Sequence, residues 1–147
     1  MGEKPVIFVI DDEPDTLALW VRILRDTYEV VAFEDPNVAL AAAVSATPAL
    51  VITDHRMPNL TGVQFVRKLE EAAVECPTIM VTAFPELVEV VEAREKIFNV
   101  VPKPAKPEDL LAWARIAITS FRLKTATTRL GRLSAYKPTP AGGRGNE

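Results

Sequence analysis

The sequence predicts an α/β fold: a doubly wound, five-stranded parallel sheet of order 2-1-3-4-5 with helices on both faces. Three observations predict it. Short apolar runs alternate with longer amphipathic stretches five times along the chain, and such alternation implies parallel strands joined by right-handed crossovers. The first, third and fourth runs are apolar along their length, as strands covered on both faces must be. Residues able to do chemistry follow these runs at their carboxyl ends, where open α/β sheets bind ligands.

Val6 to Ile10 is the first strand, and Asp11-Asp12-Glu13 follows at once. Pro14 then opens a helix with Leu17, Trp20, Val21 and Leu24 on one face, Pro being well suited to a first helical turn. Glu29 to Phe33 is the second strand, Asp35-Pro36 a helix start, and Val38 to Ala46 an Ala-rich helix stopped before Pro48. The third strand ends in Asp54, and the loop behind it carries Met57-Pro58 and then Gly62. Gly62 to Ala73 reads as a helix with Val63, Val66 and Leu69 inward. Pro77 leads into the fourth strand, Thr78 to Thr82. A helix is expected over Pro85 to Lys96, amphipathic through Leu87, Val90 and Val91. Phe98 to Val101 is a short fifth strand, closed by Pro102-Lys103-Pro104. From Pro107 a long helix turns Leu110, Ala114, Ala117, Ile118 and Phe121 inward.

A chain of 147 residues, 48% of them apolar, fits one domain with a proper core. We place that domain at 1–124, its last helix able to extend to about residue 130, and expect 131–147 to be a disordered tail or linker. Ile116, Leu123 and Leu130 sit at heptad spacing, a short coiled-coil pattern. Residues 122–147 hold six basic residues against Glu147, which leaves 11 basic and 19 acidic residues before them. An acidic body of this kind argues against a nucleic-acid-binding face. Cys76 is the single cysteine, so no intrachain disulfide forms, in keeping with a reducing compartment; its expected role is burial as a small apolar residue. The first apolar run is too short for a signal peptide or membrane span. A cytoplasmic location without membrane contact is the expectation.

The carboxyl ends of four strands carry the chemistry. Asp11 and Asp12 follow strand one, Asp54 ends strand three, Thr82 ends strand four and Lys103 follows strand five. Strands one and three flank the switch point of a 2-1-3-4-5 sheet, so three carboxylates converge on one crevice. Clustered acids repel one another and invite a cation. Carboxylate oxygens suit Mg2+, which favours one or two carboxylates plus a phosphate. Thr82 can donate to a phosphoryl oxygen and Lys103 can offset its charge. Each residue also has a plain structural reading as a cap, a turn, a strand former or a loop lysine.

Asp11-Asp12-Glu13, Asp54-x-x-Met57-Pro58-x-x-x-Gly62, Thr82-Ala83 and Lys103-Pro104 together resemble the receiver domain of two-component response regulators, with its flavodoxin-like sheet, over residues 5 to about 122. The resemblance implies that Asp54 is the phosphoacceptor and that Thr82 and Lys103 assist it. It implies Mg2+ held by Asp12 and Asp54 directly, by Asp11 through water and by the backbone carbonyl of Arg56. Lys103-Pro104 would be a cis peptide bond. A histidine kinase or phosphotransfer protein would be the donor, and a downstream protein or a fused output domain outside this chain the recipient of the signal. The module would be no enzyme beyond its own phosphoryl transfer and autodephosphorylation.

Departures from the family pattern lie where the signal leaves the site. Receivers usually carry Tyr or Phe where this chain has Val100, and a Gly-Ala pair where it has Lys96-Ile97. Phe98 is expected on the same strand face as Val100, so Phe98, Val100 and Phe84 are the switch or output candidates, and a phosphorylation-dependent homodimer is one outcome. The stretch 97–104 is similar to receivers joined to HD-type phosphohydrolase outputs; alternatively, Phe98 packs under the last helix. His55 reads as a surface-loop residue without a role rather than a base. Three other functions compete. A degenerate receiver would bind partners without phosphorylation, against which the intact acids and Lys103 argue. An aspartyl phosphatase would want an acid where Arg56 stands. A flavodoxin-like cofactor binder would want a neutral loop where Asp11-Asp12-Glu13 stands.

Overall fold

The computed structural model describes residues 3–135. Five parallel strands, β1 (Val6–Ile10), β2 (Glu29–Phe33), β3 (Leu50–Thr53), β4 (Thr78–Thr82) and β5 (Asn99–Pro102), form one sheet in the order β2-β1-β3-β4-β5. The expected topology is therefore present. Central strands β3 and β4 are buried throughout while edge strand β2 is partly exposed, which is why the central runs are apolar without alternation.

Helices α1 (Pro14–Leu24) and α5 (Pro107–Ala135) cover one face. Leu17, Trp20 and Leu24 of α1 meet Ile7, Val9, Ile52 and Ile79 of the sheet, together with Leu110, Ala114, Ala117 and Ile118 of α5. Helices α2 (Pro36–Ser45) and α3 (Gly62–Glu71) cover the other, placing Ala39, Ala43, Phe65 and Leu69 against Phe8, Ile10 and Val51. The helix starts are written locally. Asp35 Oδ1 accepts the Asn37 N–H (2.9 Å) ahead of Pro36, and Thr61 and Gln64 form a reciprocal capping box on α3. Helix α3 stops two residues short of its expected end, where Ala73 turns to φ 58°.

The fourth helix departs from expectation. In place of one helix over Pro85 to Lys96 there is α4 (Val88–Glu92), five residues long, and a separate 3-10 turn over Arg94–Lys96. Val90 is fully buried with Val63, Val66, Met80, Ile97 and Val100, and Leu87 packs on that cluster. Val91, expected inward, is 50% exposed. Two inward side chains bury too little surface to hold three turns of helix, since most helical stability in proteins comes from packing.

Of the two places expected for Phe98, the structure has the one beside the last helix and not the one on the Val100 face. Phe98 precedes the first ladder residue of β5, so strand alternation does not apply to it. Ile97 and Val100 take the places on the α4 side, and the Phe98 ring turns to Trp113 of α5, edge-on at 6.4 Å. Helix α5 runs to Ala135, five residues into the stretch read as a tail, because helix formers there outweigh Gly131. Residues 136–147 of that tail lie outside the described residues. Among the described residues no helix is long and apolar enough to cross a membrane.

Candidate functional site

The site is built at the carboxyl ends of β1 and β3, which are adjacent and in register at Ile10 and Thr53. The next residues, Asp11 and Asp54, are thereby placed side by side, and the Asp54 N–H donates to the Ile10 carbonyl (3.0 Å). Asp11 is fully buried, Asp54 nearly so, and Asp12 stands exposed at the mouth. One carboxylate oxygen from each lies within 4.8 Å of the other two.

Lys103 closes the cluster. Its ammonium donates to Asp11 Oδ2 (3.0 Å) and Asp54 Oδ2 (3.1 Å), while its backbone N–H donates to the Thr82 carbonyl (2.9 Å). The Lys103-Pro104 peptide bond is cis, as the resemblance implies. The other oxygens are held locally: Glu13 N–H donates to Asp11 Oδ1 (2.9 Å) and His55 N–H to Asp54 Oδ1 (2.7 Å). Thr82 is buried, and its hydroxyl oxygen accepts the Phe84 N–H (3.1 Å).

Burial pushes the Asp11 carboxyl above its ordinary range, and the Glu13 N–H and Lys103 offset this only in part. Burial also works against the Lys103 charge, but the Asp11 and Asp54 carboxylates outweigh it and raise the lysine. Three carboxylates face one ammonium, so negative charge is left over in a crevice of hard oxygen donors. That donor set fits a divalent cation of the Mg2+ kind.

Gly62 lets the loop after Asp54 fold back this tightly. A Cβ there would lie 2.4 Å from the Asp54 carbonyl oxygen and 2.9 Å from Met80 Cε. Any side chain at 62 would push the acid's loop off its strand.

The structure brings Asp11, Asp12, Asp54 and Lys103 together, with Thr82 at the end of the neighbouring strand. The output candidates lie apart. Arg56 is exposed at the rim with its guanidinium 4.5 Å over the Phe84 ring. Phe84 and Phe98 are 42% and 38% exposed, whereas Val100 is buried under α4. Cys76 is half-buried against the α2–α3 core, and burial pushes its thiol up to about 11.

His55 is the residue that sequence reasoning misplaced. It is 1% exposed. Its Nδ1 accepts the Val63 N–H (3.3 Å), and its Nε2 meets Glu89 Oε2 of α4 at 3.2 Å. The partner lies 34 residues away and shares no motif with it, so no local signal announced the contact.

Acids and a lysine gathered at the switch point of a doubly wound sheet make a crevice chemically suited to a divalent cation and a phosphoryl group. Residues 7–115 match the family described as the response regulator receiver domain, and the chain belongs to that family. It is 32% identical over 124 residues to the DNA-binding transcriptional regulator NtrC of Proteus hauseri, covering 82% of this chain and 26% of that protein. The chain thus spans about a quarter of that relative's length. A receiver domain protein from Clostridium thermocellum superimposes with a TM-score of 0.74 at 27% identity, over 81% of this chain and 98% of the other. An adenylate cyclase structure from Rhodopirellula baltica gives 0.80 at 25% identity, over 88% and 98%.

Proposed function

We propose that the chain is the phosphoacceptor module of a two-component or phosphorelay system, with Asp54 as the acceptor. The observation that carries this is the shared Lys103 ammonium, bonded at once to Asp11 and Asp54 at the ends of adjacent strands. A histidine kinase or phosphotransfer protein, or a small acyl phosphate, is the donor. An Asp54 carboxylate oxygen attacks phosphorus; the P–N bond of a phosphohistidine, or the P–O bond of an acyl phosphate, breaks, and its electron pair leaves with the donor. Lys103 offsets charge on the transferring oxygens, and Thr82 donates its hydroxyl to one of them. Catalysis is positioning and electrostatics.

Asp12, Asp54 and the Arg56 carbonyl would hold Mg2+, with Asp11 acting through water; the ion supplies further charge neutralisation when bound. The aspartyl phosphate is a covalent intermediate that water hydrolyses. When Thr82 turns toward the phosphoryl group, it draws on the Phe84 N–H and so on the loop into α4. The signal then passes to a downstream protein or fused output domain.

Incubation with acetyl phosphate and Mg2+ should add one phosphoryl group by intact-mass spectrometry. Asp54→Asn, or chelation of the metal, should abolish the addition. Modification that persists in Asp54→Asn assigns the acceptor elsewhere.

A further inference from the structure

The buried imidazole beside the phosphoacceptor has no part in the chemistry just described, and its geometry rules out the obvious one. Val63 N–H donates to Nδ1, so the ring proton sits on Nε2, which donates to Glu89 Oε2. Both nitrogens are therefore engaged away from Asp54, and the ring is not aimed as a base at the acid. What His55 does, through backbone and ring together, is join three pieces of chain. Its backbone N–H holds Asp54 Oδ1 and its carbonyl accepts the Gly62 N–H (2.8 Å). Its Nδ1 holds the start of α3, and its Nε2 reaches α4.

From this we infer that the His55–Glu89 hydrogen bond is a tie that holds α4 in its unphosphorylated place, making His55 a positioning residue between the acceptor loop and the output surface. The inference rests on the proposed function and names a means of its regulation. The asymmetry of the pair supports it. His55 is buried to 1% while Glu89 is 52% exposed, so the fixed end is at the acceptor and the releasable end is on the helix. The His55 Nε2–H also holds the Glu89 carboxyl below its ordinary range, the mark of a bond made to the charged form. Helix α4 has little else to keep it, with Val90 as its one fully buried side chain. A contact made in only one of two states opposes the other state by its own free energy. Breaking this one should favour the activated form.

The decisive variant is Glu89→Ala, an exposed change that leaves the buried ring in place. Beryllofluoride, standing in for the phosphoryl group, should bind about three- to tenfold more tightly, the scale of one net hydrogen bond. The initial rate of phosphorylation by acetyl phosphate should rise by a similar factor. Amide exchange over residues 84–93 of the free protein should speed up. Glu89→Gln keeps an acceptor for the Nε2 proton and should stay within about twofold of wild type, whereas Glu92→Ala, an exposed acid on the same helix, should change nothing. Unchanged or weakened beryllofluoride binding in Glu89→Ala overturns the tie. So does a Glu89→Gln or Glu92→Ala variant that behaves like Glu89→Ala, because the effect would then be charge near a helix end. If wild type takes neither beryllofluoride nor a phosphoryl group, the functional reading fails, and exchange alone decides: faster exchange in Glu89→Ala supports the tie, and unchanged exchange overturns it.

Discussion

The two flanks of the sheet beside β4 and β5 are built to different standards. On one side α1 and α5 bury Leu17, Trp20, Leu24, Leu110, Ala114, Ala117 and Ile118 in a continuous core. On the other, α4 is five residues long and leaves Val88 and Val91 68% and 50% exposed. Asp54 and Lys103 sit between them. A rigid flank keeps the acids and the lysine in register, and a thinly held one can move when a group on the acid changes. Regions that move in signalling come from the low-stability end of a fold.

Truncation on the two flanks should separate them most sharply. Leu110→Ala removes a fully buried side chain from the α1–α5 side and should cost about 3 kcal/mol of unfolding free energy. Val91→Ala, a half-exposed change on α4, should cost under about 0.5 kcal/mol. Urea unfolding of both variants measures the contrast. Equal losses would mean that α4 is as firmly built as α5.

Legibility in the sequence follows the same division. Val6–Ile10, Glu29–Phe33 and Thr78–Thr82 stand where apolar run and turn residue put them, because a short apolar run bounded by turn formers leaves a local mark whether the strand is central or, like β2, at a partly exposed edge. That Asp11, Asp54 and Lys103 meet was legible for a related reason: strand ends are fixed by topology, so residues far apart in sequence fall in one crevice. What failed depended on tertiary contact. The spacing of Leu87, Val90 and Val91 is helical, yet only Val90 is fully covered. Phe98 follows Trp113 rather than strand alternation. His55 is buried and bonded to Val63 and Glu89, a placement that neighbouring residues do not encode.

Metal binding should act on the junction between the flanks. Asp11, Asp12 and Asp54 repel one another, so a cation that binds only the folded state stabilises it, by about 2.7 kcal/mol at a hundredfold excess over Kd. Mg2+ should therefore raise the melting temperature and slow exchange at the ends of β1 and β3 more than in α4. Asp12→Asn, at the exposed mouth, should flatten that Mg2+ titration and, by relieving repulsion, leave the metal-free protein no less stable. An unchanged titration would place the ion on other ligands.

The smallest effect is expected where the flanks touch. Val100 is buried without an aromatic ring, so it cannot move between inward and outward positions as a Tyr or Phe could. Phe98 leaves the α4 side and meets Trp113 of α5 at 6.4 Å and 68°, the edge-on geometry that aromatic pairs prefer. An edge-on pair contributes roughly 0.5–1.5 kcal/mol beyond area burial, and with Phe98 38% exposed the loss in Phe98→Ala should stay near the lower figure. Phe98 precedes β5 and Asp54 follows β3, at opposite ends of the parallel sheet, so phosphorylation by acetyl phosphate should remain within about twofold of wild type. If movement of the thin flank is read out across this seam, sedimentation should show a change in self-association on adding beryllofluoride to wild type, and a smaller one in Phe98→Ala. Wild type that sediments identically with and without beryllofluoride removes the homodimer. A Phe98→Ala variant that responds in full moves the read-out to the exposed residues of α4, Val88 and Val91.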